Sequence, residues 1–200
     1  GHFNAGVGGL VGTWGFHADR LLPGPAPSEA QLERWRRSRP SLAQLEVRGL
    51  QVCSSNPALQ LDFGGYAKGV AIDRVLAGLR DDGVRDALLD LGGNLAAMGA
   101  PGRPWRIGLR DPHGPGLLAR LDIRGHEAVV TSGTYERWRQ LEGGGRATHV
   151  IDPVSGRPAQ ELASVTVVHG SAGTADAAAT ALLVAGPRRW RGVARRMGLT

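Results

Sequence analysis

The sequence predicts an α+β fold in a single domain spanning residues 1–200. Apolar residues alternate with other residues along several consecutive runs, such as 105–109 and 117–123, and this pattern predicts strands joined in hairpins. Helical spacing is confined to a few stretches, of which 66–79 is the longest. Since strands and helices do not alternate regularly, the chain lacks the pattern of a doubly wound parallel sheet.

Each predicted element has its own signal. Ser28 and Gln31 match a capping box, which opens a helix that runs to about Arg37. Gly83 closes the helix over 66–79, and Pro187 opens a last, basic helix. The remaining predictions are strands at 45–47, 50–52, 59–63, 88–91 (a buried strand), 95–98, 105–109, 117–123, 128–131 and 165–168, turns at 92–94 and 152–156, and an alanine-rich helix at 175–185.

Charge and composition exclude several classes of protein. The net charge of +6 comes from arginines that are scattered among acidic residues or gathered in two clusters, 34–39 and 188–196, which are typical of solvated helix faces. Because neither cluster belongs to a nucleic-acid-binding motif, we expect no nucleic-acid partner. The chain has no apolar run long enough to span a membrane. Its single cysteine, Cys53, excludes an internal disulfide.

Lys68 is the only lysine among 24 basic residues, and it lies in the segment 62–73. A strand is predicted to end at Asp62, two glycines let the backbone turn, and a helix then presents its free N–H groups. A cation in the first helical turn is unfavourable unless an anion is nearby, so the segment suits a pyrophosphate. The alternative is an ordinary strand–turn–helix corner with an exposed lysine.

Asp176 and Thr180 form a candidate metal pair in the predicted alanine-rich helix. Four residues apart, they share one helix face, and both offer oxygen, which a hard cation such as Mg²⁺ prefers. The alanines between them let another backbone pack closely. The competing interpretation is that Asp176 caps the helix and that Thr180 only fills it.

His149 is a candidate base, because a histidine with a pKa near neutrality can take a proton from a hydroxyl nucleophile. It precedes the turn at 152–156, and the competing interpretation is a structural histidine. Small polar residues at 131–134 lie at a strand end and could meet a ligand, with Tyr135 as a stacking or hydroxyl contact. The turn at 92–94 could also meet a ligand, because Asn94 offers a side-chain amide.

Six stretches, in this order along the chain, resemble motifs of the ApbE-type FAD:protein FMN transferases. They are Val7–Val11 with Trp14–Phe16, Leu61–Asp73, Leu91–Asn94, Ser132–Arg137, His149–Pro158 and Ala175–Gly186. The resemblance covers the chain up to residue 186. It implies an α+β fold with a central, largely antiparallel sheet layered with helices, an architecture similar to the T-fold.

The same resemblance implies an activity. Members of this family bind FAD with a divalent metal ion, cleave the pyrophosphate and attach FMN to a Thr or Ser of a target protein, often a subunit of a membrane redox complex, with release of AMP. Some members mainly hydrolyse FAD to FMN and AMP, which is the alternative activity for this chain. A flavin carrier without transfer activity is a third possibility, but the retained Asp176, Thr180, Lys68 and His149 argue against it.

The functional residues of the family match particular positions of this chain. By this resemblance, Asp176, Thr180 and the backbone carbonyl of Gly65 would bind Mg²⁺, and His149 would be the base for the accepting hydroxyl. Asp176 is the second residue expected to be essential for catalysis. The positions expected to contact FAD are Asn4, Ala5, Gly6, Asp62, Lys68, Gly93, Ser132, Tyr135 and Val150.

The sequence departs from the family pattern mainly near its start. Gly6 and Gly9 replace the usual Thr and Pro, and Thr134 replaces the usual Asp. Family members usually carry a longer segment before the first motif, with a Tyr that packs on the flavin and often a lipoprotein leader. The chain begins at Gly1 without an initiator Met. We therefore expect either a trimmed piece, which lost a leader or membrane tether with that segment, or a short family member whose flavin pocket is partly open. By the resemblance, we expect the protein to act in the periplasm or at the outer face of the cell membrane.

Overall fold

The computed structural model describes residues 1–199, and within them it contains four α-helices and ten strands. The helices are α1 (Gly8–Thr13), α2 (Glu29–Ser38), α3 (Ala67–Asp81) and α4 (Ala172–Arg196). The strands are β1 (Leu45–Arg48), β2 (Gln51–Ser54), β3 (Ala87–Leu91), β4 (Asn94–Met98), β5 (Trp105–Arg110), β6 (Leu117–Ile123), β7 (Glu127–Gly133), β8 (Trp138–Gln140), β9 (Arg146–Thr148) and β10 (Ser164–His169). All strand pairs are antiparallel, and the predicted α+β fold is confirmed.

A four-stranded sheet in the order β10–β7–β4–β3 forms the middle layer of the molecule. Helices α3 and α4 pack on one face, where Val130 and Val167 of the sheet meet Ala178 and Leu182 of α4. The β5–β6 hairpin covers the other face through a cluster that includes Ile107. Successive side chains of β4 and β7 therefore point alternately toward the helices and toward the hairpin, and most of them are buried.

Helices α3 and α4 lie unusually close together. A Cβ atom at Gly69 of α3 would overlap the carbonyl oxygen of Ala172, so only glycine permits this approach. The carboxylate of Asp73, also on α3, accepts hydrogen bonds from Ser171 Oγ and from the backbone N–H groups of Ala172 and Gly173, at 2.8–3.0 Å. Asp73 thus caps the first turn of α4 and fixes its position against α3.

A second core supports the segment that follows β9. It contains Trp14 and Phe16, which follow α1, and Trp35 of α2. The indole N–H of Trp14 donates to the carbonyl of Gly156 at 2.8 Å, and that of Trp35 donates to the carbonyl of Pro153 at 2.9 Å. Two tryptophan side chains therefore fix the turn at 152–156 through hydrogen bonds to its backbone.

The helices follow the sequence predictions closely. Ser28 and Gln31 make both hydrogen bonds of the capping box at the start of α2. The alanine-rich helix and the basic helix run on as α4, with a kink at Gly186, whose φ of 69° and ψ of 179° are not helical. Pro187 then begins the second part, as predicted. No helix among residues 1–199 has the length and apolar character needed to cross a bilayer.

The strand predictions were wrong at two places. The stretch 59–63 forms only a single bridge, between Gln60 and Val7, because no neighbouring strand continues the pairing. Strand β3 forms as predicted, but it is not buried: it lies at the edge of the sheet, with Leu88 and Leu91 exposed. Helix α1 and the short β8–β9 hairpin were not predicted, since neither has a clear apolar period.

Candidate active site

A cleft of about 350 Å³ lies between the sheet, α4 and the amino-terminal end of α3. Most of the residues predicted to form a site meet there, although they come from distant parts of the sequence. Those lining the cleft are Asn4, Asp62, Gly65, Lys68, Ser132, His149, Val150, Asp176 and Thr180.

Asp176 lies at the inner end of this cleft and is only 2% exposed. One carboxylate oxygen, Oδ2, accepts a hydrogen bond from the backbone N–H of Gly69 at 3.1 Å. Since the residue preceding α3, Tyr66, makes no capping hydrogen bond of its own, Asp176 caps α3 from the neighbouring helix. The other oxygen, Oδ1, lies 4.0 Å from Lys68 Nζ. The competing interpretation had Asp176 cap its own helix, α4, whereas it caps α3. Its second carboxylate oxygen, Oδ1, is left for a ligand.

Thr180 and Gly65 lie directly against each other beside Asp176. A Cβ atom added to Gly65 would lie 2.8 Å from Thr180 Oγ1, so the glycine brings its backbone next to the hydroxyl. The same hydroxyl is 3.3 Å from Ser132 Oγ. Residues 1–199 contain no cluster of three or more His, Cys, Asp or Glu side chains suited to a metal. A carboxylate, a hydroxyl and a backbone carbonyl together offer only oxygen, and this donor set fits Mg²⁺ better than a transition metal.

The turn before α3 is fixed by hydrogen bonds and brings a cation to the cleft. Asp62 Oδ1 accepts from the backbone N–H of Gly64 at 2.8 Å, while the N–H of Asp62 donates to the carbonyl of Ala5 at 2.8 Å. Lys68 Nζ donates to the carbonyl of Gly64 at 3.4 Å, and 43% of the lysine side chain is exposed. The ammonium group and the amino-terminal end of α3 thus bring positive charge to one side of the cleft, close to the carboxylates of Asp62 and Asp176.

His149 presents a defined tautomer to the cleft. Its Nδ1 lies 3.0 Å from the carbonyl oxygen of Arg137, which can only accept, so Nδ1 carries the proton and the lone pair is on Nε2. Burial lowers the pKa of His149 below its ordinary value of 6.5, and the hydrogen bond to the Arg137 carbonyl only partly offsets this. The ring of Phe16 packs edge-on against the imidazole of His149, with 6.4 Å between the two ring centroids. His149 is therefore neutral at pH 7 and its Nε2 can accept a proton.

The first loop uses its side chains to hold its own shape. Asn4 Nδ2 donates to the carbonyl of Pro40 at 2.7 Å, and Asn4 Oδ1 accepts from the backbone N–H of Gly6 at 2.9 Å. Of the three residues predicted here, Asn4 lines the cleft, whereas Ala5 and Gly6 are buried behind it. Their contact with a ligand stays a prediction.

Gly93 and Tyr135 lie outside the cleft, in a groove between the sheet and the β5–β6 hairpin. Thr131 and Glu136 line both spaces, so the groove adjoins the cleft. Burial raises the pKa of the Tyr135 hydroxyl, and this group is therefore protonated at neutral pH. Whether these two residues contact FAD also stays a prediction.

Four further residues that line the cleft belong to the turn and the strand end that the sequence marked as possible ligand contacts: Gly92, Asn94, Thr131 and Gly133. The other lining residues were not predicted to form a site, and they are His2, Phe3, Val7, Val11, Phe16, Gly64, Glu136, Arg137, Ile151 and Pro153. Many are adjacent in sequence to predicted ones, and the motif positions were a usable signal for Asn94 and Arg137. Their exposure to the cleft follows from the strand order and could not be obtained from spacing.

The fold and the cleft define an α+β protein with an oxygen-lined, partly cationic site at the junction of a sheet and two helices. The model of the ApbE family matches residues 1–200. The chain belongs to the ApbE family.

Individual relatives agree with this assignment. The chain is similar to the FAD:protein FMN transferase of Rhodobacter capsulatus, with 44% identity over 200 residues, which are 100% of this chain and 38% of that protein. The corresponding protein of Salmonella typhimurium is 35% identical, over 96% of this chain and 57% of its own length. The chain therefore spans only about half the length of these curated relatives.

Two solved structures show the same fold. The ApbE protein of Thermotoga maritima superimposes with a TM-score of 0.85 at 31% identity, covering 99% of this chain and 64% of that chain. The apo form of the flavinyl transferase ApbE of Pseudomonas stutzeri gives a TM-score of 0.79 at 33% identity, covering 99% and 61%.

Proposed function

We propose that this chain forms the FAD-binding and catalytic part of an FAD:protein FMN transferase, which moves FMN from FAD to a Thr or Ser hydroxyl of a target protein and releases AMP. One observation carries the proposal: His149, whose Nδ1 is bonded to the Arg137 carbonyl and whose Nε2 is thereby left to accept a proton, lines the same cleft as Asp176, Thr180 and Lys68. The names of the relatives from R. capsulatus and S. typhimurium support it.

The residues of the cleft account for the reaction. The target hydroxyl attacks the phosphorus on the FMN side of the pyrophosphate, the bond from that phosphorus to the bridging oxygen breaks, and AMP leaves. His149 Nε2 takes the proton of the attacking hydroxyl, which its lowered pKa permits at pH 7. Lys68 and the amino-terminal end of α3 balance the negative charge of the pyrophosphate and of the departing AMP.

Mg²⁺ is part of this proposal. Asp176 Oδ1, Thr180 Oγ1 and the carbonyl of Gly65 would hold the ion, since all three are oxygen atoms of residues that line the same cleft, where Gly65 lies directly against Thr180. When bound, the ion neutralises charge on the phosphate oxygens. Lys68 alone leaves a pyrophosphate only partly compensated in a half-buried site, so we expect FAD and Mg²⁺ to bind together.

In the decisive experiment, the purified protein is incubated with FAD, Mg²⁺ and peptides that carry a Thr or Ser. The mass of the peptides is then measured by mass spectrometry, and the nucleotides are separated and identified. Transfer adds the mass of one FMN less one water to a peptide and releases AMP. Formation of FMN and AMP with unmodified peptides would instead favour FAD hydrolysis, the alternative activity. Intact FAD would contradict both.

We further propose that the target is a subunit of a membrane redox complex and that the reaction occurs in the periplasm or at the outer face of the cell membrane. The support is the sequence resemblance to the ApbE-type family. Deleting the gene should remove covalently bound flavin from membrane proteins of the source cells, as seen by fluorescence of denatured gel bands. Unchanged bands would contradict the choice of target.

A further inference from the structure

Asn94 has a buried hydrogen-bond donor without a protein partner. The residue is 2% exposed and lines the cleft, and among residues 1–199 its Nδ2 makes no hydrogen bond. Buried polar groups in folded proteins nearly always have partners, because an unpaired buried N–H is unfavourable. A ligand in the cleft that supplies an acceptor would give this donor the partner that the protein does not provide.

The position of Asn94 in the sheet shows which part of the cleft it faces. Strand β4 begins at Asn94, and its pairing with β7 aligns Leu95 with Val129. Continuing this register by one residue places Asn94 beside Val130, whose side chain packs against α4. Ser132 lies two residues further along β7 on the same face, and its hydroxyl is 3.3 Å from Thr180 Oγ1. Asn94 therefore lies on the side of the sheet that faces the proposed metal ligands.

The backbone holds Asn94 firmly at this position. It pairs with Leu91 across the β3–β4 hairpin. The two residues of the turn, Gly92 and Gly93, have φ values of 61° and 86°, which suit a tight two-residue turn. The backbone of Asn94 is therefore in place before any ligand arrives, and its side chain, in a residue only 2% exposed, would need little ordering on binding.

We propose that Asn94 Nδ2 donates a hydrogen bond to a pyrophosphate oxygen of bound FAD, an inference that rests on the proposed function. A phosphate oxygen is the acceptor favoured here, because this side of the cleft also carries Lys68 and the oxygen ligands proposed for Mg²⁺. An amide adds a directed contact without adding a further charge beside the lysine. Asn94 is in this view a binding and positioning residue.

This role predicts opposite effects on stability and on binding. Asn94→Leu removes the donor and keeps a similar volume, so the melting temperature without FAD should stay equal or rise. The affinity for FAD, measured by titration calorimetry with Mg²⁺ present, should fall about 10- to 100-fold. Asn94→Asp keeps the shape but places a negative charge beside the pyrophosphate, and it should bind FAD more weakly still.

Asn56 offers a matched control. Its Nδ2 donates to the carbonyl of Ser38 at 2.7 Å, and it does not line the cleft. Asn56→Leu should therefore lower the melting temperature and leave FAD affinity unchanged. A purely structural role for Asn94 would give this same result.

Titrations with FAD and with ADP separate the possible outcomes. Weaker binding of both ligands to Asn94→Leu, with no loss of melting temperature, is the expected result. Unchanged FAD affinity in this variant would overturn the inference while leaving the proposed function intact. Weaker FAD binding with unchanged ADP binding would overturn the choice of the pyrophosphate. A wild-type protein that binds no FAD would instead overturn the proposed function itself, and the inference with it.

Discussion

The carboxylate of Asp176 on α4 caps the amino-terminal end of α3 at Gly69, although the two residues are 107 positions apart in sequence. Asp73 on α3 caps the amino-terminal end of α4 in return. Each helix thus supplies the carboxylate that the other lacks, and the pair is locked in one relative position. Because Asp176 also has an oxygen facing the cleft, the geometry of the proposed metal site depends on this helix packing.

Gly69→Ala should therefore damage both the fold and the site. The new methyl group would overlap the carbonyl of Ala172, and the helices would have to separate. We expect a loss of about 1–3 kcal/mol in the free energy of unfolding, the usual effect of overpacking. Urea denaturation measures this loss, and calorimetry should show weaker FAD binding in the same protein.

Gly78→Ala is the matched control on the same helix. A Cβ atom at Gly78 meets no other atom within 4 Å, and the residue is exposed. This substitution should raise the free energy of unfolding by about 0.5–1 kcal/mol through helix propensity, without an effect on FAD. Equal behaviour of the two variants would show that close helix contact at Gly69 is unimportant.

Asp176→Asn tests the carboxylate itself. The amide oxygen of Asn can still accept from the Gly69 N–H, so the protein should stay folded, but the anionic ligand is lost. We expect FMN transfer to fall by several orders of magnitude, on the order of 10³-fold or more, in a single-turnover assay. Thr180→Val should be milder, because it removes one neutral donor. Normal transfer by a folded Asp176→Asn protein would place the metal elsewhere.

Removal of divalent metal should weaken FAD binding as well as stop transfer. The cleft offers the pyrophosphate Lys68 and the amino-terminal end of α3, and these compensate its charge incompletely. Arg137 also lines the cleft, but its guanidinium already donates to the carbonyls of Phe16 and Ala18. Titration of FAD in EDTA, followed by addition of excess Mg²⁺, measures the effect and its reversal. If activity and affinity are equal with and without EDTA, the metal proposal is wrong.

The sequence was sufficient for elements whose pattern is local. The capping box at Ser28 and the helix over 66–79 depend on neighbouring residues, and both formed as predicted. The errors concern partners that are distant in sequence. Strand β3 has the apolar composition of a buried strand, but its burial depends on the order of the sheet, which leaves it at an edge. The stretch 59–63 alternates like a strand, but it makes only one bridge, to Val7, and isolated hydrogen bonds with Ala5 and Gly8.

The candidate site shows the same division. The spacing of Asp176 and Thr180 predicted that they share one helix face. The motifs predicted that His149 and Lys68 belong to the same site. No local pattern, however, could reveal the tautomer of His149, which depends on the carbonyl of Arg137 twelve residues away. The capping role of Asp176 likewise depends on tertiary contact.

His149→Ala should abolish the proton transfer without disturbing FAD. The proposed role of His149 is to accept the proton of the target hydroxyl through Nε2, and it requires no contact with the metal. Single-turnover transfer should fall about 10²–10⁴-fold at saturating FAD, the usual loss for a general base. His113→Ala removes an exposed histidine outside the cleft, and it should change neither the rate of transfer nor the affinity for FAD.

The pH dependence of transfer gives an independent test of the same residue. The neutral form of His149 is the active one, and burial lowers its pKa below 6.5. The rate should therefore rise with pH through a pKa below that value and level off above this pKa, while His149→Ala should lose this rise. If His149 instead only supports the turn at 152–156 or holds the flavin, its removal would lower the melting temperature or the FAD affinity. In that case excess FAD would restore full transfer to His149→Ala, and the general-base role would be excluded.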